Sequence, residues 1–404
     1  MHQTLTGWKS SFKASTFLLP LLACELFHSG LGPLSAQPVK TEPRSLAQTV
    51  GFYHWAGVHT TSINQGIEEI ARIGGRIARI TLSARYRQDY NKGGAPCLPG
   101  FSLAGALRDD VDLRTALSNP RIQVYMLTVF DGVSYNDCSS PHALNPRFYT
   151  TSNTEAMERE YSDFVFSLHQ LFAGTGKQFI LANWEGDNAV YCGSAYNYAF
   201  LEDFRRYCDS NYPAVYLGNS GPAESLQGMI KWMRARSAGV ANGKRRGADA
   251  GFPELEVLLA PEIVCVRMLR DRGIPSVLYD VIPFVNHDFV SYSAYESLRD
   301  QDVATRLAAD LETIKTVSNG SRIIIGEAGF ARSVWGNTVL PRTVDLYTAA
   351  MKWGVSYIVL WNVFDQVAND DFGLFDSTGG MTELGMHFQR VFEAAPAASL
   401  AATY

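Results

Sequence analysis

The sequence predicts an α/β protein folded as a single (β/α)8 TIM barrel. Three observations predict it. Short apolar runs alternate with amphipathic stretches from residue 50 nearly to the C-terminus. There are eight such runs. Each is continuous in its apolar character rather than alternating, as in parallel strands buried on both faces. The composition agrees: of 404 residues, 46% are hydrophobic and 19% charged, which supplies a large core and excludes a disordered chain.

The eight runs are VGFYHWAGV (50–58), GRIARITLS (75–83), IQVYMLTVF (122–130), KQFILANWE (177–185), ELEVLLAPE (254–262), DFVSYSAY (288–295), RIIIGEAGF (322–330) and VSYIVLWNVF (355–364). All are rich in β-branched or aromatic residues. Between them, apolar positions recur at helical spacing. Ile67, Ile70 and Ile73 define a helix over 64–73, and Met157, Phe164, Leu168 and Phe172 one over 155–172. Leu226, Met229, Ile230 and Met233 mark 225–238; Leu307, Leu311 and Ile314 mark 303–317; Leu346, Ala350 and Trp353 mark 343–353. No Pro- or Ser-rich linker, repeat or appended module interrupts the barrel, which is expected over residues 50–395.

The ends are set apart. Residues 1–36 have the layout of a secretory signal: Lys9 and Lys13 precede an apolar run over 17–23, and small residues follow. Two cleavage points fit: after Leu34-Ser35-Ala36, or at Leu21-Leu22-Ala23-Cys24, where Cys24 would carry a lipid anchor. The run is too short to span a bilayer, and no later segment is long and apolar enough to do so. Residues 37–49 form a short lead-in and 396–404 a tail. The expected location is secreted, periplasmic or at the cell surface. Outside the cytosol disulfides persist, and the loop-like positions suggest the pairs Cys97–Cys138 and Cys192–Cys208, leaving Cys265 as a buried thiol.

The charge balance narrows the partners. With 35 basic and 40 acidic residues the net charge is −5, which argues against nucleic acid. Lys231, Arg234, Arg236, Lys244, Arg245 and Arg246 form one basic run, read as a solvated helix face and loop rather than an anion site. No cysteine or histidine spacing suits zinc, and no cofactor is expected. There is no G-x-S-x-G elbow, and no G-x-G-x-x-G follows the first run. Gly174-Thr175-Gly176-Lys177 lacks the rest of a phosphate loop. Aromatic residues reach 12%, as suits a site that stacks sugar rings.

Reactive groups of an α/β barrel sit at the carboxyl ends of its strands. The fourth run ends Asn183-Trp184-Glu185-Gly186-Asp187, and the seventh holds Gly326-Glu327-Ala328-Gly329. A carboxylate closing an apolar strand is costly without a partner or a task. Two of them across a barrel mouth suit glycosidic bond cleavage, one donating a proton and the other attacking the anomeric carbon or activating water.

At these residues the chain resembles the clan A glycoside hydrolases, retaining enzymes on (β/α)8 barrels. The resemblance spans roughly residues 50–390 as an order of strands and is local in its motifs. ILANWEGDN resembles the strand-4 signature, which implies Glu185 as acid/base; IIIGEAGF resembles the strand-7 signature, which implies Glu327 as nucleophile. The resemblance further implies that Tyr295, in YSAY, hydrogen-bonds the nucleophile, that Arg79 holds it ionised, and that Trp361 forms the sugar platform. His54, Trp55, Tyr292 and Asn362 are then expected to line the sugar subsite. One departure stands out. The family's Asn before the acid/base Glu is replaced by Trp184, with Asn183 one further back; strand neighbours point to opposite faces, so Asn188 or His54 is an alternative source of that contact. Glu262 is a further strand-end carboxylate, better suited to binding substrate than to catalysis, and Asp131 reads as a loop cap.

The implied function is a secreted retaining glycoside hydrolase acting on β-linked oligo- or polysaccharides. Glu327 is expected ionised, and Glu185 protonated through the apolar Trp184 and its negative neighbour. The alternative is a carbohydrate-binding barrel without catalysis, which would keep the aromatic platform and leave one or both carboxylates idle.

Overall fold

The structure, a computed structural model, describes residues 44–55, 62–90, 98, 100–135, 142–216, 221–366 and 371–394. The leader with Cys24, the Cys97–Cys138 pair and the tail over 396–404 lie outside the described residues.

The strands are β1 (Val50–Tyr53), β2 (Ile77–Leu82), β3 (Val124–Val129), β4 (Gln178–Ala182), β5 (Glu256–Ala260), β6 (Glu262–Ile263), β7 (Phe289–Ser293), β8 (Arg322–Ala328) and β9 (Ile358–Trp361). Each lies inside one of the expected runs except β6, which starts on the last residue of the fifth run and extends past it to Ile263. They form one sheet in the order β5-β4-β3-β2-β1-β9-β8-β7-β6, and every ladder pairing is parallel. The two ends of that order, β5 and β6, are one strand interrupted at Pro261, which has no N–H to give a ladder. Its carbonyl still accepts from Ser291 N (2.9 Å), and Leu259 O accepts from Asp288 N (2.9 Å), so the ring closes with eight staves.

Alternate residues along each stave divide two cores, as the pleat requires. Ile77, Met126, Ile180, Leu258, Phe289, Ile324 and Val359 point into the barrel. Phe52, Ile80, Leu127, Leu181, Leu259 and Ile325 face the surrounding helices. All residues of β2 and β3 are buried, which is why their sequence shows no polar face. Each such aliphatic side chain stabilises the fold by about 1.5–3 kcal/mol.

The helices keep the expected stripes. Helix Ile63–Arg72 starts on Ser62, whose hydroxyl accepts from Gln65 N at 2.9 Å, and helix Val303–Val317 starts on Asp302 in the same way (3.0 Å from Thr305 N). Helix Val339–Trp353 begins four residues before the expected 343. Pro341 sits in its first turn, where the missing N–H costs nothing.

The largest difference lies in the basic run. One helix spans Gly221–Asp249, well beyond the expected 225–238. Gly239, Gly243 and Gly247, four apart, let it approach helix Thr151–Phe172 closely. A Cβ at Gly239 would stand 2.6 Å from Glu158 O, and one at Gly243 2.6 Å from the Val165 Cβ. Packing therefore overrides the low helix propensity of glycine. The basic side chains go separate ways. Arg236 is buried and donates to Ala182 O (2.9 Å), Arg246 pairs with Asp163 (2.6 Å), and Lys231 caps Pro146 O (2.8 Å). They form no common anion face.

Cys192 and Cys208 are joined in a disulfide and Cys265 is a buried free thiol, both as expected. Among the described residues no helix is long and apolar enough to cross a membrane.

Candidate active site

The carboxyl ends of the staves surround a cavity of about 680 Å³, a size that suits one or two sugar units. Seven of the candidate site residues named in the sequence line it: Trp55, Trp184, Glu185, Asn188, Tyr295, Glu327 and Trp361. One wall is aromatic. Tyr53 meets Trp361 edge-on at 4.8 Å between ring centroids, and Trp55 lies 6.3 Å from Trp361. Such rings offer C–H-rich sugar faces a flat apolar surface.

Glu185 follows β4 and starts the short helix Gly186–Val190. Ser293 Oγ donates to its Oε1 (2.7 Å), and Asn188 Nδ2 donates to its Oε2. The Asn188 amide is oriented by the backbone, because its Oδ1 accepts from Ala195 N at 2.8 Å. Neither Ser293 nor Asn188 stood among the expected site residues proper. Asn188 entered only as an alternative sugar contact, and Ser293 sat unremarked in the YSAY motif.

Glu327 reaches the cavity through a bulge. The β7–β8 register pairs Tyr292 with Ile325 and Ser293 with Glu327, so Gly326 is an extra residue. Simple alternation would send Glu327 outward with Ile325. Gly326 instead faces inward, where a Cβ would stand 2.0 Å from Ser291 Oγ and 2.3 Å from Glu262 Oε2. Only glycine fits there, and the bulge turns the next side chain into the cavity. Tyr295 donates to Glu327 Oε1 (3.1 Å), as expected; its Oε2 is buried without a hydrogen-bond partner among the described residues.

Arg79 acts on Glu327 as its second carboxylate partner, not its first. Its guanidinium is bidentate to Glu262 at 2.6 and 2.9 Å, whereas its nearest approach to Glu327 is 3.9 Å. Its remaining donors go to Thr128 Oγ1 (2.9 Å), Gly326 O (2.8 Å) and Asn183 O (3.4 Å). Burial opposes the Arg79 charge, but Glu262 overrides it and holds the group protonated. Glu262 does not line the cavity and is fully buried. It also accepts from Glu185 N (3.1 Å) and Ser291 Oγ (2.8 Å), so it is a junction under both candidate catalytic residues rather than a substrate contact.

Four further expected residues lie off the cavity. Asn183 straps β4 to the broken stave, accepting from Glu262 N at 2.8 Å. His54 is buried with Nε2 against Ser62 O (3.1 Å), and burial pushes its imidazole down to about 4, so it is neutral. Tyr292 points toward the helices and meets Ser297 Oγ (3.0 Å). Asn362 is buried beside Trp361 without lining the cavity. Asp131 is a loop cap, accepting from Ser134 N (2.7 Å) and Trp232 Nε1 (2.8 Å).

Both cavity carboxyls hold protons more tightly than free glutamates. Burial raises Glu327 well above the usual range, the Glu185 charge adds to this, and Arg79 and Tyr295 only partly oppose it. Burial also raises Glu185, against the bonds from Ser293 and Asn188. Trp184 is 37% exposed and lines the cavity beside Glu185.

Linkage gives the sign of the effect on stability. A carboxyl whose folded pKa exceeds its unfolded value of about 4.3 binds more protons folded than unfolded between the two, so stability falls as pH rises through that window. Glu327→Gln removes the contribution. Its melting temperature is expected above that of wild type at pH 7–8, with the gain shrinking toward pH 4. Circular dichroism melts at stepped pH would read this, and a gain independent of pH would refute the charge as its cause.

No protein-family model matches this chain, and no curated protein matches it in sequence. Solved structures do resemble it. One is a β-glycosidase, with a TM-score of 0.55 at 13% identity, covering 88% of this chain and 99% of that one. A second is a β-glucosidase from Exiguobacterium marinum, with a TM-score of 0.54 at 11% identity, covering 87% and 100%. A third is a GH5_18 protein from Streptomyces cattleya in complex with Manb1-4GlcNAc, with a TM-score of 0.53 at 11% identity, covering 87% and 82%. At these identities the likeness is one of fold: the chain shares the single (β/α)8 barrel of these glycosidases, along nearly its whole described length.

Proposed function

We propose that this protein is a retaining glycoside hydrolase acting on β-linked sugars. The observation that carries the reading is the pair Glu185 and Glu327, brought into one cavity from the ends of β4 and β8, each with dedicated hydrogen-bond donors and facing an aromatic wall. The barrel neighbours, among them a β-glycosidase and a β-glucosidase, support it by analogy of fold.

In this reading Glu327 attacks the anomeric carbon while Glu185 gives its proton to the leaving oxygen, and the glycosidic bond breaks. Water then enters, Glu185 takes one of its protons, and the hydroxyl displaces Glu327 with net retention. A sugar hydroxyl donating to Oε2 of Glu327, which has no hydrogen-bond partner among the described residues, favours the carboxylate form that attacks. Secretion fits the Cys192–Cys208 disulfide, which persists in oxidising compartments.

The test is a panel of aryl β-glycosides, β-glucans and β-mannans, with proton NMR of the first-formed product. Turnover with a β-configured product is expected. A first-formed α product would remove the retaining mechanism. Sugar binding without turnover across the panel would favour the non-catalytic binder.

A further inference from the structure

The cavity rim on the Glu185 side carries a guanidinium, that of Arg299, with no carboxylate paired to it among the described residues. Asn188, which holds Glu185, is itself held by Ala195 N, the start of the short helix Ala195–Phe200. The disulfide Cys192–Cys208 brackets this helix, and Ser194 caps it by accepting from Asn197 N (3.1 Å). Its Tyr196 lines the cavity. The Arg299 guanidinium lies 3.8 Å from the Tyr196 ring centroid, Tyr196 lies 4.6 Å from Phe200, and the Arg272 guanidinium lies 3.8 Å from the Phe200 centroid. Each of the two rings thus carries a guanidinium, and the Tyr196–Arg299 pair borders the cavity.

Arg299 also lines the cavity; its backbone N–H donates to Ser297 O, and its guanidinium makes no hydrogen bond or ion pair among the described residues. Its neighbours are already engaged. Glu296 accepts from the N–H groups of Val266, Arg267 and Met268, and Asp300 binds Arg306. Stacking fixes the plane of a guanidinium and leaves its in-plane N–H edge free, the geometry that takes a carboxylate with two parallel hydrogen bonds. The position sets which sugar is met. The general acid stands beside the leaving oxygen, so a rim anchored through Asn188 to Glu185 borders the leaving group, whereas Tyr53, Trp55 and Trp361 line another part of the cavity wall.

We infer that Arg299, stacked on Tyr196, forms a subsite for a carboxylate-bearing sugar on the leaving-group side, so that the substrate carries a uronic acid next to the scissile bond. This rests on the proposed hydrolase reading for which side is the leaving group. The floor beneath, with Glu185, Glu262 and Glu327 around the single cation Arg79, offers an anionic group nothing comparable.

The experiment compares disaccharides with β-linked glucose or mannose at the non-reducing end and either glucose or glucuronic acid at the reducing end. Affinities are read by calorimetry on the full chain carrying Glu327→Gln, so binding is measured whether or not turnover occurs; kcat/KM is read on the otherwise wild-type chain. An acidic-over-neutral preference of about tenfold at low salt is expected. It should fall toward one in Arg299→Gln and in 0.5 M NaCl, and survive in part in Arg299→Lys. A preference for the neutral sugar, or an acidic preference that Arg299→Gln leaves intact, would overturn the subsite. Loss of turnover on both sugars with the calorimetric preference retained would count against the hydrolase reading alone.

Discussion

Glu327→Gln is expected to abolish turnover of every substrate, whereas Glu185→Gln is expected to do so only where the leaving group needs a proton. The difference follows from what each carboxyl does. A glutamine at 327 cannot form the glycosyl-enzyme, so the loss should reach about 10⁴-fold or more whatever the aglycone. A glutamine at 185 removes only proton transfer, which contributes roughly 10²–10⁴-fold. A dinitrophenolate leaves without help, so its glycosides should lose little in the first step, while an alkyl or sugar glycoside should lose the full factor. A plot of log kcat/KM against leaving-group pKa reads this: nearly flat for wild type, steep for Glu185→Gln, and at the floor for Glu327→Gln. The same leaving-group dependence in both variants would remove the division of roles. The two sites also differ structurally, since Ser293 and Asn188 serve Glu185 while Tyr295 serves Glu327.

Removal of Glu262 is expected to be the most damaging single change to the fold at the site. In Glu262→Ala the fully buried Arg79 keeps its charge and loses both bonds to its carboxylate partner. Breaking a buried pair in this way costs about 3–5 kcal/mol, readable as a loss in urea-unfolding free energy. Glu262→Gln preserves shape and part of the bonding and exposes an electrostatic role. The groups acting on Glu327 are Tyr295, Arg79, Glu185 and Glu262. With Glu262 neutral, Arg79 at 3.9 Å has Glu327 as its nearest carboxylate in a salt bridge. Glu327 then releases its proton more readily, and the acid limb of the kcat/KM profile moves to lower pH. An unmoved acid limb in a folded Glu262→Gln protein would show that Glu262 does not govern that charge.

The eight staves were legible because strands buried on both faces must be apolar throughout, and the observed strands fall within the eight runs, except that β6 passes the end of the fifth by Ile263. The two carboxylates were legible because a charge closing such a run is anomalous. The Cys192–Cys208 pair was legible because both sit close together around one short insertion. By contrast, alternation along the seventh run would have turned Glu327 toward the helices. The bulge at Gly326 reverses this, and its cause lies in Ser291, Glu262 and Arg79, which are distant in sequence.

The same distance explains the other corrections. Arg79 and Glu262 are 183 positions apart, and only closure of the ring at Pro261 brings them together and away from a direct hold on Glu327. His54, Tyr292 and Asn183 occupy strand ends as expected, yet the pleat and their neighbours' needs turn them into the packing. Gly239, Gly243 and Gly247 read as helix-poor until the closeness of a second helix gives them a purpose. The sequence by itself determined which segments are buried and which charges stand out, because burial and polarity are local properties. The tertiary structure alone decided where those charges point and what each one meets, because direction is set by register, bulges and ring closure between segments far apart in the chain.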